Sequence, residues 1–269
     1  MAAPLSDHDE IVRREFTKQA QAYAASALIV NNDRLERLIQ LVKPHAGARV
    51  LDVATGPGYV AMAFAAHGCD VIGLDLTEAP LAIAEKTRQE RGLTNLRFMT
   101  GNAEQLPFDA QSFDIVVSRY ALHHFVAQER MLSEMARVCR EQGTVVIEDL
   151  VVSEHPVRAA YQNRLEQLRD PSHTQALSIR ELLLLFTTCG LDVEHVAAEV
   201  LTQSVEKWLA NAHTPDERAE EVRALIAQDE REDLSGCRPF HRDETVYFRQ
   251  RTATLLSRKL AAISLQGSM

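Results

Sequence analysis

Between residues 49 and 150 short apolar runs alternate with amphipathic stretches, and that alternation is what a parallel β-sheet joined by crossover helices demands. Runs at 49–53, 71–75, 96–100, 113–118 and 144–150 read as strands; Arg-Val-Leu-Asp-Val and Val-Ile-Gly-Leu-Asp are two of them. They are too short for core helices and too continuously apolar for strands wet on one side. The intervening stretches 59–66, 77–91 and 128–140 carry helical periodicity, with Gly92 and Gly143 placed as stops. Five such strands with their crossovers predict a doubly wound sheet.

The flanks are more helical. Ser6 followed by Asp9 is a capping-box pattern, and Ile11, Val12, Phe16, Ala20 and Tyr23 then recur at helical spacing. A second helix carries Leu35, Leu38, Ile39 and Val42 on one face and stops at Pro44. Beyond Val152, helices are expected at 156–169, 178–188, 205–210 and 215–230, and strands at 191–200 and 246–257. Residues 201–245 thus form an insertion between two strands, a place where chains commonly cover a site. We read one domain over 1–269: N-terminal helices over 1–44, a binding core over 45–152, and cap helices with the last two strands over 153–269.

Charge and composition exclude several classes. With 29 Lys plus Arg against 38 Asp plus Glu, the net charge is −9, and no basic block offers a phosphate-tracking surface, so no nucleic-acid partner is expected. Cys69, Cys139, Cys189 and Cys237 never approach metal-ligand or redox spacing; they read as reduced thiols, and no metal is expected. The opening Met-Ala-Ala-Pro-Leu-Ser lacks a secretory pattern, and apolar runs such as 182–186 are far too short to span a bilayer. A cytoplasmic chain without a membrane partner is expected, as a monomer or a homodimer.

The strongest local signal follows the first strand, where Ala54-Thr55-Gly56-Pro57-Gly58 leads into a helix beginning at Tyr59. Glycines there let the backbone turn and approach a ligand. Gly56, Gly58 and Ala61 also satisfy the dinucleotide pattern GxGxxA, so the loop alone leaves an NAD(P)-dependent oxidoreductase open. Asp52 discriminates: a carboxylate at the strand end repels a pyrophosphate but favours the sulfonium and ammonium of S-adenosylmethionine. Its structural alternative is a tie to the loop's own amides. Asp75, closing the second strand, suits a ribose diol, or else supplies a charge to the helix starting at Thr77.

These residues sit in a longer series. Leu51-Asp52-Val53-Ala54-Thr55-Gly56-Pro57-Gly58 is followed by Gly73-Leu74-Asp75, by Gly101-Asn102-Ala103-Glu104-Gln105-Leu106-Pro107-Phe108, by Ser112-Phe113-Asp114-Ile115-Val116, by Ala121-Leu122-His123-His124-Phe125 and by Arg137-Val138-Cys139-Arg140. In that order they resemble the class I S-adenosylmethionine-dependent methyltransferases, within them the ubiquinone/menaquinone-biosynthesis-like small-molecule group. The resemblance covers about residues 16–152. It implies a Rossmann-like α/β fold: a seven-stranded sheet, mostly parallel with the last strand antiparallel, helices on both faces, an N-terminal helical lid and a helical cap. It also implies S-adenosylmethionine as cofactor and methyl transfer to a small-molecule acceptor. Ala54 and Gly56 should face the methionine moiety, Asp75 the ribose, Leu76 the adenine face, Asn102 and Ala103 the adenine edge, and Ser118 or Arg119 the amino end. Ala54 stands where many members have glycine, and Asn102 replaces the more usual Asp, leaving a neutral acceptor for the adenine amino group.

Methyl transfer from a sulfonium is an in-line displacement with an activated electrophile, so the protein aligns, dries and adds at most one general base. Histidine is the first candidate. His123 and His124 follow the fourth strand at the ligand-binding edge, where one should face the pocket and the other pack beneath the loop. His173 is a second candidate base, in a polar stretch with Glu166, Arg169, Asp170 and Ser172 that equally reads as a helix end and turn. His124, Arg169 and His241 are the candidate acceptor contacts, and Tyr23, with Phe16 on the first helix, is expected over the cofactor. A cap supplied by Leu168, Trp208, Leu209 and Phe240 beside Arg169 and His173 suits a small aromatic or amphiphilic acceptor. The alternatives are a non-catalytic or regulatory S-adenosylmethionine-binding protein and the oxidoreductase.

Overall fold

A computed structural model describes residues 5–26 and 30–261. In chain order the elements are α1 (Asp7–Ala24), α2 (Asn32–Val42), β1 (Arg49–Val53), α3 (Tyr59–Ala66), β2 (Asp70–Asp75), α4 (Glu78–Glu90), β3 (Leu96–Thr100) and β4 (Phe113–Arg119). A 3-10 turn (Leu122–His124) leads to α5 (Gln128–Val138) and β5 (Cys139–Val151). Then come α6 (Pro156–Arg169), α7 (Ile179–Thr188), β6 (Leu191–Ser204), α8 (Val205–Asn211), α9 (Asp216–Glu232), β7 (Phe240–Arg242) and β8 (Thr245–Lys259).

Local chemistry sets the helix ends. Ser6 accepts from the Asp9 amide while Asp9 accepts from the Ser6 amide, closing the capping box, and Asp7, Asp9 and Glu10 complement the positive end of α1. Asn31 caps α2, and Lys43 ends it in the left-handed region just before Pro44. Ser178 and Glu181 form a second capping box at the start of α7.

The sheet runs β3-β2-β1-β4-β5-β8-β6, with β7 paired outside that path to β8. β1 lies between β2 and β4, parallel to both, with Leu51 opposite Ile72 and Val116. β8 runs antiparallel to both β5 and β6, as expected of the last strand. An eighth strand was not foreseen: three residues, Phe240 to Arg242, fold back on β8 through Asp243 in the left-handed region. So short a segment carries no readable alternation. β6 and β8 also reach further than expected, so the insertion between them begins at Val205, not at residue 201.

Side chains alternate across the strands into two cores. Leu51, Val53, Leu74, Val116 and Ile147 pack with α5 and α7 on one face, through Leu132, Met135, Leu182 and Phe186. Val50, Val71, Val117 and Val146 pack with α2 and α3 on the other, through Leu38, Ile39, Met62 and Phe64. A third cluster joins α6, α8, α9 and the outer part of β8 through Leu165, Trp208, Leu209, Val222, Ile226 and Phe248. No described helix is long and apolar enough to cross a membrane.

Since one side chain closes the cap of α1, Ser6→Ala should cost about 1 kcal/mol, felt locally because α1 sits at the chain's edge. Hydrogen exchange across residues 7–12 should speed up several-fold while amides of β1 and β4 stay unchanged.

Candidate active site

Because β2 and β4 lie on opposite sides of β1, the loops leaving the carboxyl ends of β1 and β4 part, and a cleft opens between them. There lies a cavity of about 480 Å³. Its floor is Asp52, Ala54, Thr55, Gly56 and Pro57, its sides Asp75, Leu76, Asn102, Ala103 and Arg119, and α1 roofs it with Val12, Phe16 and Tyr23.

The loop is held from below. Asp52 is buried; its Oδ2 accepts from Thr55 Oγ1 at 2.5 Å and from the Ala61 amide at 3.0 Å. The structural alternative for Asp52 is therefore realised: it ties the loop to the first turn of α3, while still bordering the cavity. Burial pushes its carboxyl up to about 7, against the two hydrogen bonds. Asp75 clamps the loop from the side, Oδ2 accepting from the Gly56 amide and Oδ1 from the Thr77 amide, each at 2.8 Å. Burial raises its carboxyl as well. Ala54 holds a left-handed φ of 56°, the geometry for which glycine is the easier residue.

Several expected contacts are displaced. Gly58 does not line the cavity: at φ 79° it starts α3, and a Cβ there would meet Phe98 at 2.5 Å, so this glycine serves packing. Ser118 is buried within β4 away from the cavity, because alternation turns it to the opposite face from Arg119. Asn102 lines the cavity, but its Oδ1 already accepts from the Glu104 amide at 2.8 Å.

A smaller cavity of about 60 Å³ adjoins the first and shares Phe16, Tyr23, Tyr120 and His124 with it. Its other walls include His123, Leu150, Arg169, Asp170, Trp208 and the side chains of Gln19, Gln203, Asn211 and Gln250. The guanidinium of Arg169 lies 5.2 Å from the Trp208 ring, its Nε donating to the Trp208 carbonyl at 3.0 Å. The expected apolar cap is thus corrected. Leu168 and Leu209 face the cap's own core, Phe240 stacks on Tyr247, and amides take their place at the cavity.

The histidines separate by environment. His123 Nδ1 donates to Asp149 Oδ1 at 2.5 Å, and its amide donates to Asp149 Oδ2. Burial disfavours its charged form, but the Asp149 carboxylate outweighs burial and holds the ring above its usual range. His124 Nδ1 lies 3.0 Å from the Ser172 carbonyl and 3.1 Å from Ser172 Oγ, whose own hydrogen goes to Asp170 Oδ1 at 2.6 Å. Burial, then the neighbouring His123, push His124 well below its usual range. His173 lines neither cavity: Nε2 donates to Asn163 Oδ1 at 2.8 Å, and burial depresses its basicity. This removes His173 from the candidate bases, since its stretch folds as the turn that Asp170 and Ser172 cap. His241 is also withdrawn; it is exposed on β7 and pairs with Glu230 at 3.3 Å.

Some cavity residues left little trace in the sequence. Asp149 had one: within the run from Val145 to Val151, otherwise apolar, Glu148-Asp149 places two adjacent acids, and both are buried with cationic or imidazole partners. Tyr120 and the amides of Gln19, Gln203 and Gln250 had none, because they come together from four separate elements or loops. Gln19 on α1 reaches Asp170 Oδ2 at 3.2 Å, and His8 donates to the His124 carbonyl at 2.8 Å, so the roof helix is bonded to the site it covers.

A family model described as a methyltransferase domain matches residues 44–213. The chain is 33% identical over 207 residues to the uncharacterized methyltransferase YcgJ of Bacillus subtilis, covering 77% of this chain and 82% of that protein. It is 35% identical over 151 residues to a demethylmenaquinone methyltransferase of Clavibacter sepedonicus, covering 55% and 61% respectively. The YcgJ crystal structure superposes with a TM-score of 0.81 at 29% identity over 86% of this chain and 99% of that one. A putative methyltransferase from Bacillus halodurans gives 0.80 at 29% over 86% and 100%.

The Asp52 carboxyl has a pH signature. Held at about 7 when folded and near about 4 when unfolded, it binds a proton more tightly in the native state, so its contribution is fullest below the unfolded value and declines as pH rises to the folded one. In urea denaturation, the stability of wild type relative to Asp52→Asn should fall by roughly 3 kcal/mol between those limits. A constant difference would place the raised carboxyl elsewhere.

Proposed function

This chain belongs to the methyltransferase-domain family and is a class I S-adenosylmethionine-dependent methyltransferase, and from that premise we propose that the larger cavity holds the cofactor while a small-molecule acceptor sits where the smaller cavity adjoins it. The observation that carries the placement is charge. Asp7, Asp9, Asp52, Asp75 and Glu104 line the larger cavity against one guanidinium, Arg119. Such a lining suits a cationic ligand and opposes a pyrophosphate.

The residues fit the cofactor part by part. Asp75, with both oxygens anchored by backbone amides, keeps lone pairs for the ribose hydroxyls. Leu76 and Ala103 offer apolar contact to the adenine, and Asn102 its edge. The backbone of Ala54 and Gly56 faces the methionine moiety. Arg119, whose Nε lies 3.3 Å from Glu148, suits the carboxylate end of that moiety better than the amino end. The cavity volume lies in the range of sites that enclose a ligand of this size. When bound, the sulfonium supplies an activated methyl group.

The chain's own part is alignment, exclusion of water and proton removal. Phe16 and Tyr23 on α1 close the roof, so α1 acts as the lid, and residues 153–259 supply the cap that selects the acceptor. His123 is the general base: Asp149 occupies Nδ1 and stabilises the imidazolium, leaving Nε2 for the acceptor's proton. Four aromatic side chains in the smaller cavity, Phe16, Tyr23, Tyr120 and Trp208, favour an aromatic acceptor. The name of the demethylmenaquinone methyltransferase among the relatives points to the same chemistry.

Asp75→Ala should weaken S-adenosylmethionine binding by about 1.5–3 kcal/mol in calorimetry, with the fold intact and NADH failing to compete. Hydrogen exchange in residues 7–24 should slow when S-adenosylhomocysteine binds; unchanged exchange would remove the lid. A screen of phenols, amines, thiols and carboxylic acids with labelled methyl donor tests the activity. Tight NADH binding without S-adenosylmethionine binding would overturn the cofactor placement, and methyl transfer only to macromolecules would overturn the acceptor class.

A further inference from the structure

Resting on this reading of the smaller cavity, we propose that its acceptor is a ring carrying two hydroxyls on adjacent carbons, one deprotonated by His123 and methylated, the other donating to His124. The two imidazoles make a matched pair. Each has Nδ1 committed to acceptors: Asp149 Oδ1 for His123, and the Ser172 carbonyl and Oγ for His124. A carbonyl only accepts, and the Ser172 hydroxyl spends its hydrogen on Asp170, so Nδ1 of His124 carries the proton. In the neutral ring Nε2 then holds a lone pair. Both residues line the smaller cavity, and their ring centroids are 4.1 Å apart. Two neighbouring lone-pair nitrogens call for two neighbouring donors.

The pair is also split electrostatically. Asp149, with more distant help from Glu166 and Asp170, draws His123 upward against burial. Burial and His123 drive His124 downward, against the pull of Asp170 and Asp149. His173 and the Arg169 guanidinium add further groups around them, and His8 meets the His124 carbonyl from the lid. Two groups of one kind whose environments push them apart mark different roles: His123 exchanges a proton, and His124 stays neutral and only accepts a hydrogen bond. A carboxylate, which has no hydrogen to donate, would leave both nitrogens unanswered, and an unpaired buried lone pair is costly. The aromatic walls then favour a planar carrier.

The step balances. The acceptor oxygen bonds to the methyl carbon as the carbon–sulfur bond breaks, the electron pair leaves on sulfur as a neutral thioether, and the hydroxyl proton passes to Nε2 of His123. The second hydroxyl keeps its proton. Ser172 and Asp170 are positioning residues that act through the His124 ring.

The test uses the full chain saturated with S-adenosylhomocysteine, with catechol, phenol and aniline as probes. Catechol should bind at least tenfold more tightly than phenol in calorimetry, and aniline should bind no better than phenol. His124→Asn preserves a side-chain donor for the Ser172 carbonyl but has no counterpart of Nε2; at saturating S-adenosylhomocysteine it should abolish the preference of catechol over phenol. With 15N-labelled histidine, ring spectra of the wild type at pH 7.5 should show His124 protonated at Nδ1 alone, and Ser172→Ala and Asp170→Asn should raise the other tautomer. Equal binding of catechol and phenol, no detectable binding of any probe, a preference that survives His124→Asn, or a His124 ring protonated at Nε2 would each overturn the proposal. Failure of S-adenosylhomocysteine to bind wild type would instead overturn the cofactor placement on which the proposal rests. If catechol is methylated, His123→Gln should lower kcat by about 10²- to 10⁴-fold with KM little changed, and His124→Asn should chiefly raise KM.

Discussion

The parting of the chain on either side of β1 is the constraint from which the rest of this structure follows. With β2 and β3 laid to one side and β4 and β5 to the other, the loops leaving β1 and β4 diverge and cannot fill the space between them. Backbone at strand ends must still be satisfied, and acids do much of that: the buried Asp52 and the half-buried Asp75 accept four hydrogen bonds from the segment spanning Thr55 to Thr77. The same acids border the cleft, so the device that shapes the loop also lines the site.

A second layer of buried charge supports the far wall. Glu148 sits between Arg34 on α2, at 2.9 Å, and Arg119 at the end of β4, at 3.3 Å, while Arg34 also reaches Glu199 on β6 at 3.0 Å. Removing the Glu148 carboxylate would take from both guanidiniums the acid that lies between them, and breaking a buried pair costs far more than the pair gains over an apolar substitute. Such a network specifies geometry: it links a helix before the sheet to strands from its centre and its edge, and fixes the guanidinium of Arg119 at the cavity wall. The neighbouring Asp149 does the same for His123, so two consecutive acids of β5 serve opposite faces of the strand.

Much of the architecture was legible in the chain. Strand β1 and helix α3 start and end where the periodicity places them, because apolar runs bounded by a turn loop leave little freedom. The capping box at Ser6 was readable for a similar reason, being complete within four residues. Site residues followed the same division. Ala54, Gly56, Asp75, Leu76, Asn102 and Ala103 lie at strand ends, and they line the cavity. Gly58 lies within a motif and Ser118 two residues beyond one, yet both face away, since a motif gives position along the chain and not the direction of a side chain.

The sequence by itself determined the parallel sheet, the loop after β1, the acids at the ends of β1 and β2, and the family to which these belong. All of them are local patterns, written in consecutive residues whose spacing matches a strand, a turn or a helix. Tertiary structure alone decided what the histidines are. His123, His124 and His173 are one residue type within a span of about fifty positions, and their rings lie within 6.4 Å of one another. Asp149 on β5 draws one upward, Ser172 after α6 fixes the tautomer of the second, and Asn163 within α6 removes the third from the cavity. Basicity and tautomer depend on burial and on partners distant in sequence, and only folding brings those partners to the ring.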